Sequence, residues 1–157
     1  MKVLWILVGV LGVAIALAAI WFAGMRSKWR LVIDFQRRVN HRWMNPWQLR
    51  SAGKPGAYAG VVHHVGRRSG RRYATPMVPF PTGDGFVIAL PYGTRSDWVR
   101  NVLAAGTATI DYEGDSYDIV DPRVIPIGDA PVEFPPSEQR AHRNFDVREC
   151  VVVRNAR

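Results

Sequence analysis

The residues best suited to chemistry lie close together between Val61 and Met77, in the stretch VVHHVGRRSGRRYATPM. A short, mainly apolar run, Val61–Val65, meets the glycine-bounded segment Gly66-Arg67-Arg68-Ser69-Gly70, and Arg71 and Arg72 follow at once. Tyr73–Phe80 is a second extended run, rich in β-branched, aromatic and proline residues. The pattern predicts a β-hairpin whose tip carries four arginines, two glycines and a hydroxyl. Glycine lets the backbone turn sharply and approach a ligand closely. The guanidinium fork matches phosphate and carboxylate. The tip therefore suits a multiply charged anion; the competing reading is a solvated arginine-rich turn.

Other chemistries lack their residues. The tip is not a P-loop, because the Gly-x-x-x-x-Gly-Lys-Ser/Thr spacing is missing and a strand-like run follows it. Ser69 is not in a Gly-x-Ser-x-Gly elbow. The acids of residues 111–121 fall in turns and on strand faces, with no paired-carboxylate arrangement. Cys150 is the single cysteine, so no internal disulfide can form, and its apolar run Cys150–Val153 makes it a buried thiol. His63 and His64 are adjacent on a strand, so they point to opposite faces and do not share a metal site; one of them is expected to face the ligand region. No catalytic residue stands out. Tyr92 and a histidine are the candidates for moving a proton.

These residues need a scaffold. Strands are expected at Ala57–Val65, Tyr73–Phe80, Gly85–Pro91, Thr107–Tyr112, Ser116–Val120 and Val147–Arg154. An Asp84-Gly85 turn and a Glu113-Gly114-Asp115 turn make hairpins. Pro76, Pro79 and Pro81 cannot donate to a ladder, which places them on an edge or at a bulge. Ser96 is expected to cap a helix that begins at Asp97, buries Trp98, Val99, Val102 and Leu103, and stops at Gly106. A short helix is expected near Ser137, inside the proline- and charge-rich stretch 121–143. The fold class is mostly β: a split barrel of about six antiparallel strands with one or two helices.

Charge divides the chain. Residues 1–54 hold nine Lys/Arg and one acid, whereas residues 55–157 hold twelve of each, so the formal net charge of +8 belongs to the N-terminal segment. A globular part without excess positive charge argues against a nucleic-acid-binding domain. Val3–Gly24 contains no charged residue and, at ~1.5 Å per residue, is long enough for a ~30 Å hydrocarbon core. Lys2 precedes it; Arg26, Lys28 and Arg30 follow it. That asymmetry predicts a single-pass anchor over residues 1–25 with the C-terminal part in the cytoplasm. A cleaved signal peptide is the alternative. Residues 26–56 form a basic, tryptophan-rich helix, ended or kinked at Pro46, and a linker. The helix either lies at the lipid headgroups or covers one side of the domain at residues 57–157.

The ordered set of Gly66-Arg67-Arg68-Ser69-Gly70, Thr75-Pro76-Met77, the Gly-Asp-Gly hairpin and Trp98-x-x-Asn101-x-x-Ala104 resembles the deazaflavin (coenzyme F420)-dependent nitroreductases, also known as F420H2-dependent quinone reductases. The resemblance spans about residues 57–120. It implies a split β-barrel that binds reduced F420, with Arg67, Arg68 and Ser69 at the phosphate and acidic tail. Tyr73, Thr75, Pro76, Met77 and Val78 would lie along the deazaflavin and ribityl part. Leu90, Pro91, Tyr92 and Gly93, with Trp98, Val99 and Asn101, would add further contacts. FMN is the alternative cofactor. The activity implied is hydride transfer to an organic acceptor, such as a membrane quinone. The competing functions are a non-catalytic F420, flavin or haem barrel and a membrane-surface interaction module. Nothing in the sequence sets the oligomeric state.

Overall fold

The computed structural model describes residues 1–156. Seven strands form one curled antiparallel sheet, a half-barrel, in the order β2-β1-β5-β6-β7-β4-β3. They are β1 (Gly60–Val65), β2 (Arg72–Met77), β3 (Pro79–Pro81), β4 (Gly85–Ala89), β5 (Thr107–Tyr112), β6 (Asp115–Pro126) and β7 (Glu149–Asn155). The helices are α1 (Lys2–Arg26), α2 (Arg30–Val39), α3 (Asn45–Gln48), α4 (Asp97–Ala105) and α5 (Pro136–Asn144). A π-helical turn, Asn40–Met44, joins α2 to α3, and a short 3-10 turn covers Ile127–Asp129.

The proline-rich run divides at Val78 into β2 and β3, which lie at the two edges of the sheet. The missing N–H groups of Pro76, Pro79 and Pro81 are tolerated there. This division raises the strand count from the expected six to seven. Within residues 57–156 the α-helices are α4 and α5, in line with the one or two expected there; α1 to α3 belong to the N-terminal segment. The segment after Val120 is not a loop: β6 continues to Pro126. Asp121 takes a left-handed φ of 54°, and the pairing steps from Val120↔Arg154 to Arg123↔Val152, so two residues oppose one. This bulge bends β6, which pairs with β5 before it and with β7 on both sides of it. The proline and charges of 121–123 hide a strand whose period is interrupted by the bulge.

Two apolar clusters hold the sheet. The inner one joins Val62, Met77, Phe86, Ile88, Leu90, Ile110, Ile119, Val151 and Val153 to Val99 and Val102 of α4. The outer one joins Val87, Cys150 and Phe134. β4 and β7 are thus covered on both faces, which is why they read as continuous apolar runs. Gly85 is required where β4 begins, because a Cβ there would collide with the main chain of Val153 and Arg154.

α4 begins at Asp97 and ends at Gly106 with φ 73°, as the sequence indicates, and buries Val99 and Val102, but Trp98 is half-buried and Leu103, one position past the buried stripe, is exposed. Ser96 occupies its N-cap position, but its hydroxyl donates to the Gly93 carbonyl at 3.3 Å rather than accepting from the first turn. Pro46 does not end the preceding helix. The π turn absorbs the extra residue, and Pro46 sits in the first turn of α3, where its missing N–H costs nothing.

α1 is long and apolar enough to cross a membrane, and none of its most apolar stretch is buried within the protein. A tight elbow joins it to α2. Gly24 faces Val32, where a Cβ would come within 2.5 Å of a methyl group, and Lys28 takes φ 54° at the corner.

Candidate functional site

Antiparallel pairing puts opposed residues on one face. Val62 opposes Thr75 and His64 opposes Tyr73, so these four side chains share the concave side of the β1–β2 hairpin. His63 falls on the convex side, where its Nε2 lies 2.6 Å from Asp111 Oδ2. The two histidines are separated as strand alternation requires. His64, only 7% exposed, is the inward one, and its ring stacks on Tyr73 at 5.7 Å. Burial lowers its pKa, opposed by the Asp97 charge, so the ring is neutral near pH 7.

The arginine-rich turn is closed by Gly66 N–H donating to Arg71 O and Gly70 N–H donating to Gly66 O, both at 2.8 Å, with Gly70 at φ 64°. Arg67 folds back from this turn onto α4. Its Nη1 donates to Asn101 Oδ1 at 2.9 Å and to Asp97 Oδ1 at 3.2 Å, and its main-chain N–H donates to the same Asn101 oxygen at 3.1 Å. Asp97 also receives Arg37 of α2 at 3.1 Å. The N-terminal turn of α4 therefore carries a carboxylate that ties the turn and α2 together. Ser69 Oγ lies 3.1 Å from the Tyr73 hydroxyl. Arg68, Arg71 and Arg72 are exposed and make no ion pair among the described residues.

A cleft of about 700 Å³ opens beside this turn. Eight of the residues expected at a cofactor line it: Thr75, Pro76, Met77, Val78, Leu90, Pro91, Tyr92 and Trp98. They come from the end of β2, the loop after β4 and the start of α4. Arg67, Arg68, Ser69 and Tyr73 lie on the adjoining hairpin tip, and Asn101 stands behind the wall as the partner of Arg67 and His64. Gly93 has no side chain and turns the loop at φ 68°, and Val99 is fully buried in the inner core, so neither lines the cleft.

The remaining lining comes from segments that no motif marks. Asp34, Arg37, Arg38, Asn40, Asn45 and Gln48 extend from α2 to α3, and Asn40 Nδ2 donates to the Tyr92 hydroxyl at 2.9 Å. α5 supplies Glu138 and His142, with Phe145 just beyond it. The Tyr58 hydroxyl donates to Glu138 at 2.5 Å; burial, then that carboxylate, push the phenol up to about 12. Burial lowers the His142 pKa, partly offset by Glu138. The amphipathic pattern of 30–48 was legible as a helix over the domain, but not as part of this lining.

No protein-family model matches the chain, and no curated protein matches it significantly. Solved structures are similar to it. One described as "F420 Reductase" is 17% identical over 67% of this chain and 90% of its own, with a TM-score of 0.45. One described as "Structure of F420-H2 Dependent Reductase (FDR-A)" is 13% identical over 60% and 93%, with a TM-score of 0.37. One described as a "domain-swapped dimer" is 12% identical over 76% and 97%, with a TM-score of 0.41.

Proposed function

We propose that the chain is an F420-dependent oxidoreductase. In this reading residues 1–25 anchor it in the cell membrane, residues 26–56 form a basic helix and linker, and residues 57–157 form the cofactor-binding half-barrel on the cytoplasmic side. The observation that carries the proposal is the make-up of the cleft. Its volume, about 700 Å³, is that of a cofactor site. Pro76, Met77, Val78, Leu90 and Trp98 give it an apolar wall for a fused ring, and Thr75 supplies a hydroxyl within that wall. Arg38 lines the cleft without an ion pair among the described residues, and Arg68, Arg71 and Arg72 stand free on the adjoining turn.

This donor set fits F420, whose phosphodiester and glutamate tail use several cations. FMN, with one phosphate and no acidic tail, uses fewer of them. When bound, reduced F420 supplies a hydride to an organic acceptor. The residues of this chain bind the tail, seat the ring and restrict water. The acceptor proposed is a membrane quinone, because the anchor holds the cleft beside a substrate that hardly leaves the bilayer. Leu31, Phe35, Trp43 and Trp47 are exposed along α2 to α3 among Arg30, Arg38 and Arg42, a pattern suited to the headgroup layer just beyond the anchor.

Arg68 separates tail binding from folding, because it makes no ion pair among the described residues, whereas Arg67 also latches α4. Arg68→Ala is expected to weaken F420 binding by about 1.5–3 kcal/mol and FMN binding by less. Fluorescence titration of the full chain in detergent measures both. Unchanged F420 affinity in Arg68→Ala, Arg71→Ala and Arg38→Ala would remove the anion site from the proposal.

A further inference from the structure

We infer that Thr75 is an obligate hydrogen-bond donor to the group seated in the cleft, its direction fixed by a relay running from Arg67 through Asn101 and His64. Only the identity of the recipient rests on the F420 reading; the relay is a property of the protein alone.

The relay begins with donors that cannot reverse. A main-chain N–H and a guanidinium N–H only donate. Both of Arg67's contacts, at 3.1 and 2.9 Å, converge on one atom of Asn101, which must therefore be the amide oxygen. Reversing the amide would set two donors against an NH2 group at a residue only 4% exposed. The Asn101 NH2 is consequently directed at His64 Nδ1, 3.1 Å away, and donates to it. Nδ1 must then present a lone pair, so the single proton of the neutral imidazole sits on Nε2. Nε2 lies 3.1 Å from Thr75 Oγ1 and donates to it.

The Thr75 hydroxyl has thus accepted on its inner side. It has one proton left to give, and no other side-chain partner for that proton exists among the described residues. Thr75 lines the cleft. The proton is therefore offered to the occupant, which must present an acceptor there, such as a carbonyl oxygen or an unprotonated ring nitrogen. The carbonyls of a deazaflavin's pyrimidinedione ring meet that demand, whereas an N–H group placed there would meet a second donor. Asn101 and His64 are positioning residues that act through Thr75. The arginine that starts the relay belongs to the anion-binding turn, so ordering that turn also orders the hydroxyl.

The relay can be read without ligand. The full chain, labelled with 15N-histidine in detergent micelles, is examined at neutral pH by long-range 1H–15N correlation, with His64 assigned by its loss in His64→Gln. The expected result is the Nε2–H tautomer. In Asn101→Asp the new carboxylate can only accept, and Nδ1 is expected to become protonated. A wild-type His64 protonated on Nδ1, or an unchanged tautomer in Asn101→Asp, would overturn the relay. F420 titration then tests the donor. Thr75→Val is expected to bind about tenfold more weakly and Thr75→Ser within about twofold of wild type. Equal affinity of Thr75→Val and wild type would overturn the donor role. Wild-type protein that binds no F420 would overturn the proposed cofactor and Thr75's assignment to it, while the ligand-free tautomer still decides the relay, so the two failures remain distinguishable.

Discussion

Arg67 and His64 show how far single residues can be read before they are placed. Alternation along β1 separates His63 from His64, and that follows from the sequence alone. The partners do not: Asn101 lies 37 positions from His64, and only the packing of α4 against β1 brings them to 3.1 Å. Likewise, an arginine in a glycine-bounded turn reads as an anion ligand, yet Arg67 is held by Asp97 and Asn101, leaving Arg68, Arg71 and Arg72 as the charges of the turn without an ion pair among the described residues. Burial of His64 also has a stability consequence. Its folded pKa lies below the ordinary value of 6.5, so at falling pH the unfolded chain takes up the proton first. The stabilising effect is complete above 6.5 and is lost as pH falls from there through the depressed folded value; His142 acts in the same direction. The denaturation midpoint is therefore expected to drop as the pH falls below 6.5, and His64→Gln should reduce the slope. A midpoint that rises on acidification through this window would contradict the assignment of a buried neutral ring.

At the scale of elements, strands with simple patterning were the easiest to locate. β5 begins and ends where expected, and α4 is bracketed by Asp97 and Gly106 as its cap and stop residues indicate. The elements that escaped were those whose period is broken by local backbone geometry. β6 changes face at the Asp121 bulge, where the carboxylate pairs with Arg154, and a turn-like composition conceals its second half. The π turn at Asn40–Met44 shifts the helical phase of 30–48, so no single 3.6-residue period runs through to Pro46. The core these elements share is tightly specified. Ile110 is fully buried at the centre of the inner cluster, and Ile110→Ala is expected to cost about 2–5 kcal/mol in a denaturant titration. A loss well under 1 kcal/mol would mean that the β5–α4 contact is not the closed layer described.

For the whole molecule, the decisive feature is that three distant segments build one cleft. The hairpin after β1 was legible because its residues are chemically unusual; α2 to α3 and α5 were not, because their contribution depends on how the chain is docked. Docking is anchored at the elbow. Lys28 Nζ donates to the carbonyls of Pro91 and Phe145 at 2.8 and 2.7 Å, and Arg26 donates to those of Arg143 and Asn144 at 2.6 and 3.0 Å. Trp21 and Phe22 pack against Phe145. The end of α1 is thereby fixed to the loop that carries Tyr92 and to the end of α5. Lys28→Ala leaves two carbonyls without their donor and is expected to cost about 1–3 kcal/mol. It should also increase hydrogen exchange at residues 90–93 and 142–145; unchanged exchange there would show that α1 and the half-barrel are not coupled.

The most direct test of the account is a titration of the full-length wild-type protein in detergent with F420, followed by cofactor fluorescence, with FMN as the control and ionic strength varied. The account predicts saturable binding that prefers F420 and weakens as salt screens the cationic turn. Equal or tighter binding of FMN, or no binding of F420 by folded protein, would contradict it.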